Sequence, residues 1–175
     1  MTLTRDDLHT DGFSGFVPLI EVDDALVPLN AGVYVVLRPA ATNPTFLSKS
    51  TGGWFKSRDP AVGLDILRRK WIDSAEVLYI GKADARKDGG GLRHRIREYR
   101  RFGAGEPVGH WGGRYIWQLA DAAELLIAWR AVSADESPSA IEAAMIDGFR
   151  QEHSALPFAN LRRGRQSTSQ QGGEP

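Results

Sequence analysis

The chain has 175 residues, of which 42% are hydrophobic and 25% charged, enough apolar material for one buried core and too much for a disordered chain. It contains no cysteine, which excludes disulfides and thiolate metal sites and fits a reducing compartment. Its formal net charge is zero, and no apolar run approaches the length of a membrane span.

The first residues lack a basic stretch followed by an apolar one, so the expectation is a soluble, cytoplasmic protein with no membrane partner. The neutral sum hides separated blocks. Residues 1–30 carry Asp6, Asp7, Asp11, Glu21, Asp23 and Asp24 against Arg5. Residues 82–101 carry Lys82, Arg86, Lys87, Arg93, Arg95, Arg97, Arg100 and Arg101 against Asp84, Asp88 and Glu98, and Arg162, Arg163 and Arg165 form a second basic cluster. Such blocks give either a phosphate-attracting face or an ordinary solvated helix surface, and charge alone leaves both open.

In chain order, residues 1–16 read as an irregular acidic lead-in with room for a short helix, and 17–22 as an edge strand, where Pro18 is tolerated. Residues 31–37 read as a strong strand, with Val33, Val35 and Leu37 on one face and Tyr34 and Val36 on the other. Residues 39–57 read as loop, broken by Pro44 and Gly52-Gly53. Asp59-Pro60 predicts a capped helix start, and Leu64, Leu67 and Trp71 share a face of a helix over 59–72.

A second strong strand follows over 76–81, then a glycine-rich loop over 84–91 and a helix over 92–102 with Leu92, Ile96, Tyr99 and Phe102 inward. After a loop over 103–113, residues 115–119 suit a strand or a helical turn, and 125–132 a third strand. Ser137-Pro138 opens a last helix with Ile141, Ala144, Met145, Gly148 and Phe149 as its stripe. From Gly164 on, composition predicts a disordered tail. The pattern predicts an α+β domain, with the two strongest strands paired antiparallel in a small sheet.

Several residues suit phosphodiester hydrolysis, which needs an activated water, a polarised phosphate and a cation against the developing charge. Tyr34 and Tyr79 lie on neighbouring strands and can emerge on one face, although a phenol with its ordinary pKa of about 10 needs help, for example from Lys82, to act as a base. Arg95 shares a helical face with Tyr99, and its guanidinium fork matches a phosphate. Glu142, near a helix start, is either a magnesium ligand or a surface carboxylate on the helix dipole. Gly89-Gly90-Gly91 before a helix is either a phosphate cradle or a turn. His110-Trp111-Gly112-Gly113-Arg114 lines a groove, stacks on a base, or is only a turn.

Taken together, these positions resemble the GIY-YIG nuclease superfamily. Gly32-Val33-Tyr34 looks like the first half-motif with Val for the usual Ile, and Tyr79-Ile80-Gly81 matches the second, followed by Lys82. Leu92, Arg95 and Tyr99 look like the family helix, Glu142 like its metal ligand, and Asn160 in Pro157-Phe158-Ala159-Asn160 like its terminal asparagine.

The resemblance implies a three-stranded antiparallel sheet flanked by helices, over a catalytic domain at 31–163 behind a 1–30 acidic extension and before a 164–175 tail. It implies a divalent-metal-dependent endonuclease cutting DNA to 5′-phosphate and 3′-hydroxyl ends. The catalytic set is Tyr34, Tyr79, Lys82, Arg95, Tyr99, Glu142 and Asn160, with Mg2+ or Mn2+ on Glu142. Arg93, Arg97, Arg100, Arg101, His110 and Arg114 are the candidate DNA contacts. The chain departs from the pattern by an insert over 39–75, an enlarged 84–91 loop and a longer step from Glu142 to Asn160. The competing readings are a non-catalytic nucleic-acid-binding module and a protein-interaction domain whose acidic N-terminal segment contacts a partner or covers its own basic groove.

Overall fold

The computed structural model describes residues 3–87 and 89–161. The basic cluster at 162–165 and the 164–175 tail lie outside the described residues. The fold is α+β: a four-stranded antiparallel sheet of order β1-β4-β2-β3, from β1 (Ser14–Pro18), β2 (Gly32–Leu37), β3 (Val77–Ala83) and β4 (Leu126–Ala131). The expected three-stranded sheet is corrected by one strand, because Ser14–Pro18 pairs with the free edge of β4. That strand starts earlier than 17–22. It bulges at Gly15 and Phe16, both at positive φ, and ends at Pro18, which has no amide to continue a ladder. Ahead of it, α1 (Arg5–Thr10) is closed by a capping box between Thr4 and Asp7.

β2 is buried along its whole length, because both its neighbours and both its faces are covered. Tyr34 and Val36 pack with α3 (Gly91–Gly103) on one face, while Val33, Val35 and Leu37 pack with α4 (Pro138–His153) and α1 on the other. On α3, Leu92, Ile96, Tyr99 and Phe102 are all fully buried, worth about 1.5–3 kcal/mol for each apolar side chain. The half-motif glycines allow this approach. A Cβ at Gly32 would stand 2.6 Å from Leu92 Cδ1, and one at Gly81, which pairs with Tyr34, would stand 2.5 Å from the Tyr34 ring.

The insert packs on the α3 side of the sheet. Its backbone follows the 3-10 turn Arg114–Gln118, with Leu47 N–H donating to the Gln118 carbonyl and Thr51 N–H to that of Trp117. The expected helix over 59–72 shrinks to α2 (Leu64–Lys70), with Gly63 rather than Asp59 as its cap. The buried Gln118 amide explains the loss. It accepts from Val62 N–H at 2.8 Å and donates to the Val62 carbonyl at 3.1 Å, which pulls that residue out of a helical ladder.

The stripe expected on α4 is turned by about one residue. Ala143, Ile146 and Phe149 are buried and Ala144 is exposed, which swings Glu142 toward the sheet. Among the described residues, no helix is long and apolar enough to cross a membrane.

Candidate active site

A cleft of about 350 Å³ opens where the end of β3 meets the first turns of α3 and α4. Tyr79, Lys82, Arg95 and Glu142 all line it, so four of the seven expected catalytic residues converge from three elements. Asp84, Arg86, His94 and Glu98 complete its polar wall. Arg95 donates to Glu98 at 3.1 Å, and Lys82 meets Asp84 at 2.5 Å.

Tyr34 lies behind the cleft, fully buried, with its ring centroid 6.0 Å from that of Tyr79 and 6.4 Å from that of Tyr99. Burial raises the pKa of all three phenols. The Arg95 charge draws all three back, and at Tyr34 the Tyr79 hydroxyl adds to that pull, so Tyr34 is the least raised of the three. Tyr99 is held by its hydroxyl donating to the Gly113 carbonyl at 2.8 Å and does not line the cleft.

His110 corrects the sequence reading. It was expected among the DNA contacts, but it is completely buried, stacked on Tyr99 at 4.2 Å, with Nε2 3.4 Å from the Tyr34 hydroxyl. Burial, reinforced by the Arg95 charge, pushes its pKa well down, so the imidazole is neutral. Its Nδ1 is buried without a hydrogen-bond partner among the described residues. No sequence signal separates this histidine from a loop histidine, because its neighbours Tyr34 and Tyr99 are brought in from a strand and a helix.

Four of the expected DNA contacts are also engaged elsewhere. Arg93 donates to the Val27 carbonyl at 2.9 Å, and Arg97 pairs with Asp24 at 2.6 Å. Arg100 donates to the Val22 carbonyl at 2.7 Å and to Asp24 at 3.2 Å, while Arg101 pairs with Glu106. None of the four lines the cleft. The glycine run is no phosphate cradle either. The Leu92 and Arg93 amides that would face an anion donate instead to the Asn30 and Pro28 carbonyls, at 2.8 and 3.1 Å.

Asn160 is likewise outside the cleft. Its side chain accepts from Ile80 N–H at 2.9 Å and donates to the Ile80 carbonyl at 2.8 Å, closing the free edge of β3. Its reach to the reacting groups is indirect, through the strand that carries Tyr79 and Lys82.

The donor set tests which cation the cleft could take. Among the described residues, no group of three or more His, Cys, Asp or Glu side chains converges, so a closed structural metal site is absent there. Glu142 is half-buried and accepts no hydrogen bond and joins no ion pair among the described residues; burial raises its pKa, while Lys82 and Arg95 draw it back. Of the three carboxylates that line the cleft among the described residues, Asp84 is paired with Lys82 and Glu98 with Arg95, which leaves Glu142 with free lone pairs; one such carboxylate fits magnesium, which takes one or two carboxylates and leaves its other positions to water and substrate phosphate. Comparison with known proteins found no matching family model, no matching curated protein and no matching solved structure.

Proposed function

We propose that the protein is a divalent-metal-dependent endonuclease that hydrolyses DNA phosphodiester bonds to 5′-phosphate and 3′-hydroxyl ends. The observation that carries this reading is the convergence of Tyr79, Lys82, Arg95 and Glu142 on one cleft, Glu142 having no hydrogen-bond or ion-pair partner among the described residues, with Tyr34 immediately behind. Glu142 would hold Mg2+ or Mn2+, which when bound polarises the phosphate and stabilises the leaving oxygen. Arg95 offsets the charge that builds on the phosphorus centre, and Lys82 adds a second positive charge at the wall.

Tyr34 takes a proton from the attacking water only if its own proton moves on. Nε2 of His110, 3.4 Å away, would accept it in the tautomer protonated at Nδ1, and the low basicity of His110 favours its return once the phenol has released the water's proton to solvent. Tyr79 and Tyr99 hold Tyr34 in its packing.

The direct test is plasmid and structured DNA incubated with purified protein and magnesium or manganese. Nicking that disappears in Glu142→Ala supports hydrolysis; no product with either metal from the unmodified protein would overturn it. One observation favours a second reading, a nucleic-acid-binding module without catalysis: Tyr34 has no exposed surface, so a water must enter to reach its hydroxyl. Salt-dependent binding without product, unchanged in Glu142→Ala, would select it.

A further inference from the structure

Beside the cleft, the insert and the 110–115 turn build a second surface. Phe55 and Arg58 close a tight hairpin, with Arg58 N–H donating to the Phe55 carbonyl at 3.1 Å. Its two tip residues, Lys56 and Ser57, both sit at positive φ, 51° and 57°, where Asn and Gly are the usual occupants. Strain of this kind persists only where the surroundings impose it, and it concentrates at binding sites.

Here the surroundings are aromatic and basic. The Arg58 guanidinium lies 4.9 Å from the centroid of the Trp111 ring, and that of Arg114 lies 4.7 Å from the same ring. Two like charges therefore share one indole. Among the described residues, Lys56, Arg58 and Arg114 form no ion pair with a carboxylate, and Arg114 Nε and Nη1 are buried without a hydrogen-bond partner. With two guanidiniums on one ring and no carboxylate paired to either among the described residues, an anion is the partner this cluster lacks. Trp54, just before the hairpin, is 59% exposed, a large aromatic face open to solvent.

This surface runs into the candidate active site. Trp111 sits between His110, which meets Tyr34, and Gly112, where a Cβ would stand 3.1 Å from the Tyr79 hydroxyl. Stacking faces beside unpaired cations are what an unpaired strand needs, because its bases are free to stack and its phosphates track a basic row. A duplex hides its base faces and would use the cations alone.

We propose that Trp54, Lys56, Arg58, Trp111 and Arg114 bind a single-stranded segment of the DNA substrate, with a base on Trp54 and phosphates on the cations, and feed it to the cleft. The inference rests on the hydrolytic reading for what becomes of the strand, but the binding itself is tested apart from it.

The test is fluorescence anisotropy of the full chain, without metal, against a labelled oligothymidylate of about 20 nucleotides and a duplex of equal length. The single strand should bind more tightly than the duplex. Trp54→Ala should weaken single-strand binding by at least about fivefold and leave duplex binding unchanged. Arg58→Glu should weaken it further and flatten its salt dependence by at least about one phosphate contact. Both side chains are exposed, so a thermal melt should show the fold retained. Single-strand affinities equal to the unmodified protein in both variants would overturn the proposal, as would equal losses on both DNAs in Trp54→Ala. Trp54-dependent binding without cleavage would keep this surface and sink the hydrolytic reading. Cleavage with no dependence on Trp54 or Arg58 would do the reverse.

Discussion

Arg95 and Arg97 lie two residues apart on α3 and have opposite surroundings. Arg95 opens on the cleft with Lys82 and Glu142. Arg97, with Arg93 and Arg100, faces the returning N-terminal segment, where Asp24 and the carbonyls of Val22 and Val27 take up the guanidinium donors. The outer side carries more arginines, Arg93, Arg97, Arg100 and Arg101 against Arg95, yet the cleft opens on the Arg95 side. Counting arginines therefore says little about where a phosphate binds; Arg95 has an internal partner too, Glu98 at 3.1 Å, and what sets it apart is that it lines an open cleft. Residues 20–27 of the acidic N-terminal block cover the outer arginines of α3, away from the cleft.

The contrast gives its largest effect on rate. Arg95→Ala should lower cleavage about 10²–10³-fold, as expected for loss of one preorganised charge at a transition state, and Arg97→Ala should leave it within about threefold. Single-turnover assays on one substrate check both. Equal losses would mean that the outer face also meets DNA during the reaction.

Asn160 extends the comparison to a polar side chain engaged wholly within the chain. Asn160→Ala strands the buried Ile80 N–H and C=O and should cost about 2 kcal/mol of stability, read as a lower urea midpoint at unchanged slope. Glu142→Ala, which removes no hydrogen bond seen among the described residues, should leave that midpoint nearly in place.

Asp24→Ala is the next smaller effect. It breaks two partly exposed ion pairs, each worth about 0.2–1 kcal/mol, and releases Arg97 and Arg100. Stability should fall slightly, while non-specific DNA affinity rises with a steeper salt dependence. A rise in affinity without a steeper slope would show that the arginines stay covered.

The smallest effect is on pH dependence. Burial holds the Glu142 pKa above the ordinary carboxylate value, so the folded chain binds that proton more tightly than the unfolded one. The ionised carboxylate then weighs on stability, increasingly as pH rises from the unfolded pKa through the folded one. Glu142→Gln should therefore melt slightly higher than the unmodified protein near pH 7 in metal-free buffer, and the gain should vanish below about pH 4. A gain that grows toward acid pH would contradict the sign.

Much of this was legible in the chain itself. The β-branched runs around Tyr34 and Tyr79 and the stripe of α3 specified strands and helix, because period-two and period-3.6 burial are local properties. The helix start at Ser137-Pro138 was legible for the same reason, since a cap acts within one turn. Asp59-Pro60 carried the same signal and failed, because Gln118, distant in sequence, outbid the local cap for the backbone at Val62.

By itself the sequence determined the α+β class, the three central strands, an edge strand set a few residues late, and the residue types that reach the cleft. Only the tertiary structure decided which of them face it. It moved the edge strand from 17–22 to Ser14–Pro18 and paired it with β4, turned α4 so that Glu142 lines the cleft with Lys82, buried His110 against Tyr34, closed the β3 edge with Asn160 and covered the outer arginines of α3. The physical reason is range. Propensity, capping and periodicity act over a few residues, whereas partnering of a charge or a buried amide depends on segments dozens of residues apart that meet only when the core forms.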